Sequence, residues 1–248
     1  EFKIFSKPFI DEAEAIEHLS DFVLDPYPIP EKFLDREVFL GSSTNPLQVN
    51  ISTWACKTKK IRKARAVCLE AKNKASVFNF VVIPAANFDI PFFGADFVTL
   101  PNGHLLALDL QPALKNDKQH TSNVWKKLIP LHQKWSKYLP YGGPLPIDAE
   151  RYFSPGFLWT RLPHAVKSDQ IISEIIQPAF DDYISLFIDL INQAEEVSDN
   201  RYSIIYKGQD DYMKYRSEKD PARAMLHRFF GINWTEEYIN RVLFNLEE

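Results

Sequence analysis

Five short segments with a hydrophobic period of two lie in the first half of the chain, and they restrict the fold more than any other feature. They are rich in β-branched and aromatic residues, and Asn, Pro or Gly occurs in most of the gaps between them. The connections are shorter than the dozen or more residues that parallel neighbours require. An antiparallel sheet is therefore predicted. Its strands are Gln48–Ala55, Ile61–Ala71, Ser76–Ile83, Gly94–Leu100 and His104–Leu110.

Helical spacing of apolar residues is found on both sides of this strand block. One helix is predicted before it, over Asp11–Val23. The later helices are predicted over Ser122–Leu139, Ser168–Glu195 (with a kink or break at Pro178), Tyr202–Ser217, Pro221–Phe230 and Thr235–Phe244. This order indicates an α+β fold in which helices cover an antiparallel sheet. Because the sequence contains no repeat and no linker-like stretch, we expect one domain over residues 1–248.

Charge and motif content exclude several classes of protein. The 29 basic and 33 acidic residues give a net charge of −4, which argues against a general nucleic-acid binder. Two cysteines, Cys56 and Cys68, cannot hold an iron–sulfur cluster alone, and no window is apolar enough to span a membrane. There is no dinucleotide, Walker A or zinc-protease motif, and the six histidines form no recognisable ligand pair. We therefore expect neither a metal nor a cofactor bound by the chain itself.

Three adjacent strands each carry one polar residue in a row of apolar or small residues: Glu70, Asn79 and Asp96. Burying a carboxylate in such a row is costly unless the group is paired or protonated. Enzymes use such environments to keep a proton donor at neutral pH. The alternatives are that these rows face solvent, or that the carboxylates pair with a nearby arginine.

Asp220 is followed by Pro221 and a run of helix-forming residues. This order is typical of an N-cap with proline at the first helical position. The dipole of that helix would stabilise the ionised carboxylate. Capping alone would account for Asp220, so a functional role needs further evidence.

Six positive residues lie between Lys57 and Arg65. Such a run is usually a solvated hairpin. In a chain of net negative charge it is also a local positive patch, which could steer an acidic partner. The residues predicted to dock that partner are Lys57, Lys59, Lys60 and Lys63.

Three longer segments resemble the ferredoxin-dependent bilin reductases. They are FFGADFVTLPNGHLLALDLQPAL (Phe92–Leu114), YFSPGFLWTRLP (Tyr152–Pro163) and YRSEKDPARAMLHRFFG (Tyr215–Gly231). They occur in the family's order, and the resemblance covers nearly all of the chain from about residue 45. The first segment is most similar to the branch that reduces 15,16-dihydrobiliverdin to phycoerythrobilin.

This resemblance implies a three-layer α/β/α sandwich, with a central antiparallel sheet flanked by helices and a linear tetrapyrrole held between the sheet and the C-terminal helices. It implies that electrons arrive singly from reduced ferredoxin, an external 2Fe–2S protein, and pass through substrate radicals. The implied partners are 15,16-dihydrobiliverdin, ferredoxin and a preceding bilin reductase that transfers the substrate. The implied setting is a monomer in a plastid stroma or a cyanobacterial cytoplasm, with no nucleic-acid or membrane partner.

The resemblance also assigns roles to individual residues. Asp96 matches the family's central proton-donating aspartate, and Asp220 matches a second one on the opposite side of the bilin. Glu70 matches a glutamate that functions in the phycocyanobilin-forming branch, whereas Asn79 replaces a catalytic histidine of that branch. An amide can orient a lactam or a water but cannot protonate it near neutral pH. Three basic residues around Asp220 either pair with the bilin propionates or lie on a helix surface: Arg216, Lys219 and Arg223.

Two other functions remain open from the sequence. One is a sibling reductase that makes 15,16-dihydrobiliverdin or phytochromobilin. The other is a bilin carrier that binds the pigment without reducing it. The paired aspartates favour an enzyme, since a pure binder needs no proton donor on either side of its ligand.

Overall fold

A computed structural model describes residues 25–246 and contains, within that range, one eight-stranded antiparallel sheet. The strands are β1 (Asp25–Pro26), β2 (Asp35–Ser42), β3 (Asn45–Lys57), β4 (Ile61–Ala71), β5 (Ala75–Pro84), β6 (Phe92–Leu100), β7 (Gly103–Gln111) and β8 (Leu158–Leu162). Their order across the sheet is β1-β3-β4-β5-β6-β7-β8, and β2 pairs with β3 beside this path. The five predicted strands are confirmed as β3 to β7. β1, β2 and β8 were not predicted.

The helices follow the strand block, as predicted. They are α1 (Lys118–Ser136), α2 (Ile147–Glu150), α3 (Val166–Ile171), α4 (Gln177–Gln193), α5 (Asp199–Lys219), α6 (Arg223–Phe230) and α7 (Ile232–Tyr238). A short 3₁₀ turn covers Glu31–Phe33, and two π-helical segments, Ile172–Ile176 and Ile239–Leu243, follow α3 and α7. The helix predicted over Asp11–Val23 lies outside the described residues. No helix within residues 25–246 has the length and apolar character needed to cross a bilayer.

Pro178 lies in the first turn of α4, directly after the π-helical segment. A proline is tolerated there because the first N–H groups of a helix have no partner within the helix. The interruption of the long predicted helix therefore falls just before the proline, in the π-helical segment.

A partly buried charge network ties the starts of α1 and α5 to the β5–β6 loop. Asp117 caps α1 by accepting hydrogen bonds from the backbone nitrogens of Gln119 (2.8 Å) and His120 (3.2 Å). Its other carboxylate oxygen pairs with Arg201 of α5. Arg201 Nε also donates to Asp89 Oδ2 at 2.7 Å, and Asp89 Oδ1 lies 2.6 Å from His120 Nδ1. Both helix starts are thus held in fixed positions beside the sheet.

Helices cover both faces of the sheet, so the three-layer α/β/α sandwich is confirmed. On one face, Phe80 and Phe93 pack against Phe180 and Phe187 of α4, with the Phe93 ring centroid 5.6 and 5.7 Å from the two α4 rings. This aromatic contact makes that face a closed core.

The other face packs against α6 and α7. Trp234 and Tyr238 of α7 stack with ring centroids 4.6 Å apart, and Phe33 packs against both rings. This second cluster covers β3, β4 and part of β5. Toward β6, β7 and β8, the same face opens into a cavity.

Candidate active site

The cavity, of about 520 Å³, lies between the sheet and the C-terminal helices. Its floor includes Asp96 of β6, Ala107 of β7 and Trp159 of β8, and part of its wall comes from Tyr152 and Tyr212. The lining is mainly apolar with a few polar groups. Both the size and the lining are typical of sites that enclose a small organic molecule, which measure roughly 300–1,000 Å³.

A second, more open groove of about 950 Å³ runs beside this cavity, along α5 and the segment after β7. The two share Tyr152 and Tyr215. The groove contains neither Asp96 nor Asp220. Its greater volume reflects an open surface, and we place the chemistry in the smaller, more enclosed cavity.

Asp96 lies opposite Asn79 in the β5–β6 pairing, so both side chains are on the cavity face. Burial raises the pKa of the Asp96 carboxyl above its ordinary value, and the nearby carboxylate of Asp220 adds to this effect. Arg216, a hydrogen bond from Asn79 and Arg65 oppose the rise. The net result is a carboxyl that holds its proton to a higher pH than an exposed aspartate does.

Asp220 lies at the junction of α5 and α6, with a side chain only 6% exposed. Its Oδ1 accepts a hydrogen bond from the backbone nitrogen of Ala222 at 2.7 Å. Its Oδ2 is 3.6 Å from Nη2 of Arg216, one helical turn earlier. The predicted N-cap role is wrong in detail, because Asp220 ends α5 and closes a short turn, and Ala222 takes the cap position of α6.

The two aspartates meet at an inner chamber of about 50 Å³. This chamber and the main cavity share Asp96, Arg216 and several apolar residues, so the chamber is an inner extension of the cavity. Asn79 and Arg65 line it as well. The fold therefore brings together a sheet aspartate and a helix-junction aspartate that are 124 positions apart in the sequence.

The three basic residues predicted around Asp220 have different surroundings. Arg216 and Lys219 line the cavity. Arg223 does not, because its guanidinium is bonded to the Glu236 carboxylate and to the backbone oxygen of Ser217. These two partners fix Arg223 between α5 and α7, which is neither the propionate contact nor the helix-surface position considered from the sequence.

Glu70 is not brought to the site. In the β4–β5 pairing Val67, not Glu70, lies opposite Asn79, and Glu70 lies opposite Ser76. Because side chains alternate between the two faces of a strand, Glu70 and Val67 point to opposite sides of the sheet. The predicted substrate contact by Glu70 is wrong for this geometric reason.

The predicted basic patch is not continuous, because the Lys60 ammonium is bound to a helix end and Lys63 is buried. Lys60 Nζ donates to the backbone oxygens of Ile191 and Ala194, each at 2.9 Å, at the end of α4. A lysine in this position satisfies carbonyls that have no partner within the helix and complements the helix dipole.

Lys63 is completely buried, and its Nζ donates to the backbone oxygens of Val242 (2.6 Å) and Asn245 (2.9 Å). Burial, with repulsion from Arg65 and Arg62, lowers the pKa of Lys63 to about 7. Lys57 is half-buried, and only Lys59 of the four predicted docking residues is exposed, with Glu196 3.2 Å away. The docking prediction is therefore wrong for Lys63, and for Lys57, Lys59 and Lys60 it stays a prediction.

Several cavity residues were not singled out from the sequence. Arg65 was counted only as part of the basic run, although it is two positions from Val67 and shares its face of β4. Strand alternation could have placed it, together with Lys63, on the face of the strand that carries the apolar residues Val67 and Leu69. No sequence pattern indicated Tyr238, Arg161 or Arg228, which reach the chamber or the cavity through the tertiary fold.

Within the part of the chain that is described, no three His, Cys, Asp or Glu side chains are grouped so that they could hold a metal ion. The chemistry that the site residues can supply is proton transfer from buried carboxyls and hydrogen bonding from guanidinium groups. The structure thus defines a class: an α/β/α sandwich with a ligand cavity on one sheet face and an acid pair at its inner end.

Comparison with known proteins is consistent with this class. The ferredoxin-dependent bilin reductase family profile matches residues 12–245. The chain is 57% identical over 238 residues to the phycoerythrobilin:ferredoxin oxidoreductase of Prochlorococcus marinus (strain MIT 9211). The matched region covers 96% of this chain and 92% of that protein. It is 54% identical over 242 residues to the protein of the same name from Parasynechococcus marenigrum (strain WH8102). This match covers 98% of this chain and 92% of that protein.

A solved structure gives the same result. Phytochromobilin synthase from tomato, crystallised in complex with biliverdin, superposes with a TM-score of 0.83 and 30% identity, over 97% of this chain and 83% of that chain. The chain belongs to the ferredoxin-dependent bilin reductase family. It is an oxidoreductase that reduces a bilin with electrons from ferredoxin.

Proposed function

We propose that the chain reduces 15,16-dihydrobiliverdin to phycoerythrobilin, with Asp96 and Asp220 as the proton donors. The observation that carries the proposal is the convergence of both aspartates on one inner chamber of the ligand cavity. The names of relatives that are more than half identical to this chain support the choice of product.

The reaction adds two electrons and two protons to the tetrapyrrole. Ferredoxin delivers its electrons one at a time, so the bilin passes through a radical before the second electron arrives. Asp96, whose pKa is raised by burial, donates from the sheet side. Asp220 donates from the α5–α6 junction, beside the Arg216 guanidinium. The protein contributes proton transfer, orientation and exclusion of water, and the bilin carries the electrons.

The charges around the cavity suggest how the bilin is oriented. The exposed cations Lys219, Arg161 and Arg228 line its outer part, while Asp96 and Asp220 are at its inner end. The two propionates of a bilin are its only strongly anionic groups. They pair most favourably with these outer cations, and the pyrrole rings contact the apolar lining between.

The proposed setting follows from the partners. A ferredoxin-dependent enzyme of phycobilin synthesis acts where ferredoxin and phycobiliproteins occur, in a plastid stroma or a cyanobacterial cytoplasm. We propose that it acts there as a monomer and receives its substrate from a preceding bilin reductase.

Product analysis tests the proposal. The chain is incubated with a ferredoxin-reducing system and, in separate reactions, with biliverdin or 15,16-dihydrobiliverdin, and the products are identified by absorption and chromatography. We expect phycoerythrobilin from 15,16-dihydrobiliverdin and no reduced product from biliverdin. Formation of 15,16-dihydrobiliverdin or phytochromobilin from biliverdin would instead identify a sibling activity. An unchanged bilin spectrum after addition of reduced ferredoxin would identify a carrier.

A further inference from the structure

Arg65 carries a charge that the protein itself leaves without a full set of hydrogen-bond partners. The residue is 3% exposed and lies on central strand β4. Its Nη1 is buried and has no hydrogen-bond partner among the described residues, and the same holds for Nε of Arg216. Leaving a donor of a charged group unpaired inside a protein is expensive. This cost suggests that an acceptor occupies the site when the protein is at work.

The two residues with unpaired donors line the same chamber. Arg65 and Arg216 both line the inner chamber, together with Asn79, Asp96 and Asp220. The chamber volume of about 50 Å³ is enough for only a few oxygen-sized groups, since one water needs roughly 10–15 Å³ on the same measure. Only a small part of a ligand can therefore enter.

The residues around the inner chamber also restrict which chemical group of a ligand can enter it. A carboxylate entering the chamber would be a third carboxyl group beside Asp96 and Asp220, and packing carboxyl groups together disfavours the ionised form of each. A neutral carbonyl oxygen accepts hydrogen bonds without adding a negative charge. The terminal rings of a bilin are lactams, and each carries one such oxygen.

We propose that Arg65 binds a terminal lactam oxygen of the bilin in the inner chamber. This inference rests on the proposed function, because it assumes a bilin in the adjoining cavity. Arg65 then fixes which end of the tetrapyrrole lies beside the two aspartates. It is a substrate-binding residue and takes no part in proton transfer, since a guanidinium stays protonated.

Equilibrium binding of 15,16-dihydrobiliverdin to Arg65→Met tests the proposal. Methionine has a similar length and no charge, so we expect affinity to fall roughly tenfold or more and the absorption band of the bound bilin to shift. Arg65→Lys, which keeps one donor, should restore part of the affinity. The melting temperature of the ligand-free Met variant measures any structural role of Arg65 separately, because Asp96 and Asp220 lose a nearby positive charge in this variant.

Lys63→Met is the matched control. Lys63 is also buried on β4, but it donates to two backbone oxygens and is absent from both the cavity and the chamber. We expect this variant to bind the bilin with unchanged affinity and an unchanged band. A lower melting temperature for Arg65→Met together with wild-type bilin affinity would show that Arg65 is structural and overturn the proposal. If the Met variant does not fold, the affinity and band of Arg65→Lys decide, and wild-type values would overturn it.

The dimethyl ester of the bilin separates a lactam acceptor from a propionate. Arg65→Met should bind the dimethyl ester more weakly than wild type does, by the same factor as for the free bilin, because the lactam oxygens are unchanged. Disappearance of the effect would assign Arg65 to a propionate and overturn the proposal. If wild-type protein binds neither bilin, the proposed function itself is wrong. If wild-type protein binds the bilin and Arg65→Met binds it equally well, only the role of Arg65 is wrong.

Discussion

Asn79 and Asp96 are directly opposed residues of β5 and β6, and the amide of Asn79 hydrogen bonds to the carboxyl of Asp96. This bond stabilises the ionised carboxylate and so lowers the pKa of Asp96, whereas burial raises it by a larger amount. The pKa of Asp96 therefore depends on its cross-strand partner as well as on its own burial.

Replacing Asn79 by Ala should raise the pKa of Asp96 further, because the bond that favours the ionised form is lost. If protonated Asp96 is the donor, the alkaline limb of the kcat profile should move to higher pH. Rates of product formation under reduced ferredoxin, measured from pH 6 to 9, would show the shift. Ser76→Ala is a suitable control on the opposite face of β5. A limb at the wild-type position in Asn79→Ala would contradict this coupling.

Asp96→Asn should bind the bilin nearly as well as wild type, since the shape is kept, but it removes the exchangeable acid. We expect it to accept the first electron, stall at a bilin radical, and form product roughly 10²-fold or more slowly. Single-turnover absorption and electron paramagnetic resonance would detect the radical. A wild-type yield of phycoerythrobilin would exclude Asp96 as a required donor.

Asp220→Asn should likewise bind the bilin and stall at a radical. Its side-chain oxygen can still accept the hydrogen bond from the Ala222 backbone nitrogen, so the α5–α6 turn should be retained. The same single-turnover assay, together with a melting curve, separates the two roles. Unchanged turnover would leave Asp220 as a turn-forming residue only.

Asp109 should make stability depend on pH. It is buried on β7 and accepts a hydrogen bond from the Ser154 backbone nitrogen at 2.8 Å, yet burial raises its pKa to about 7. An unfolded aspartate has a pKa of about 3.9, so the folded chain binds this proton more tightly. The resulting stabilisation is complete below about pH 4 and is lost as the pH rises to about 7.

Asp109→Asn removes this dependence. As the pH rises from 5 to 8, the melting temperature of wild type should therefore fall relative to that of the variant. The expected change in this difference is roughly 2 °C or more for a chain of this size. Thermal unfolding of both proteins at the two pH values measures the difference. A constant difference across this range would mean that the pKa of Asp109 is the same in the folded and unfolded chain.

The central strands could be predicted because their alternation is long and regular, whereas β2 and β8 could not. β2 begins with the charged residues Asp35, Arg36 and Glu37 and is paired on one side only, to β3, so its apolar pattern is weak. β8 has only five residues and is recruited by pairing with β7. Both depend on tertiary contacts.

The site could be predicted only in part, because some of its residues are also placed by tertiary contacts. Asp96 was identified because one polar residue in an apolar row is visible in the sequence. Placing Glu70 needed the register between β4 and β5. That register is set by a three-residue connection, Lys72–Lys74, in which Asn73 has a φ of +60°. A connection one residue longer or shorter would have changed which β4 residue faces Asn79.

The two acids belong to different layers, Asp96 to the sheet and Asp220 to the junction of two helices. Their separation is therefore fixed by the thickness of the apolar packing between those layers, where Leu226 and Trp234 are buried. A change of volume at such a position, with every polar residue of the cavity kept, would move one acid relative to the other. If both acids donate protons, as we propose, the hydrophobic core sets the spacing of that delivery along the tetrapyrrole.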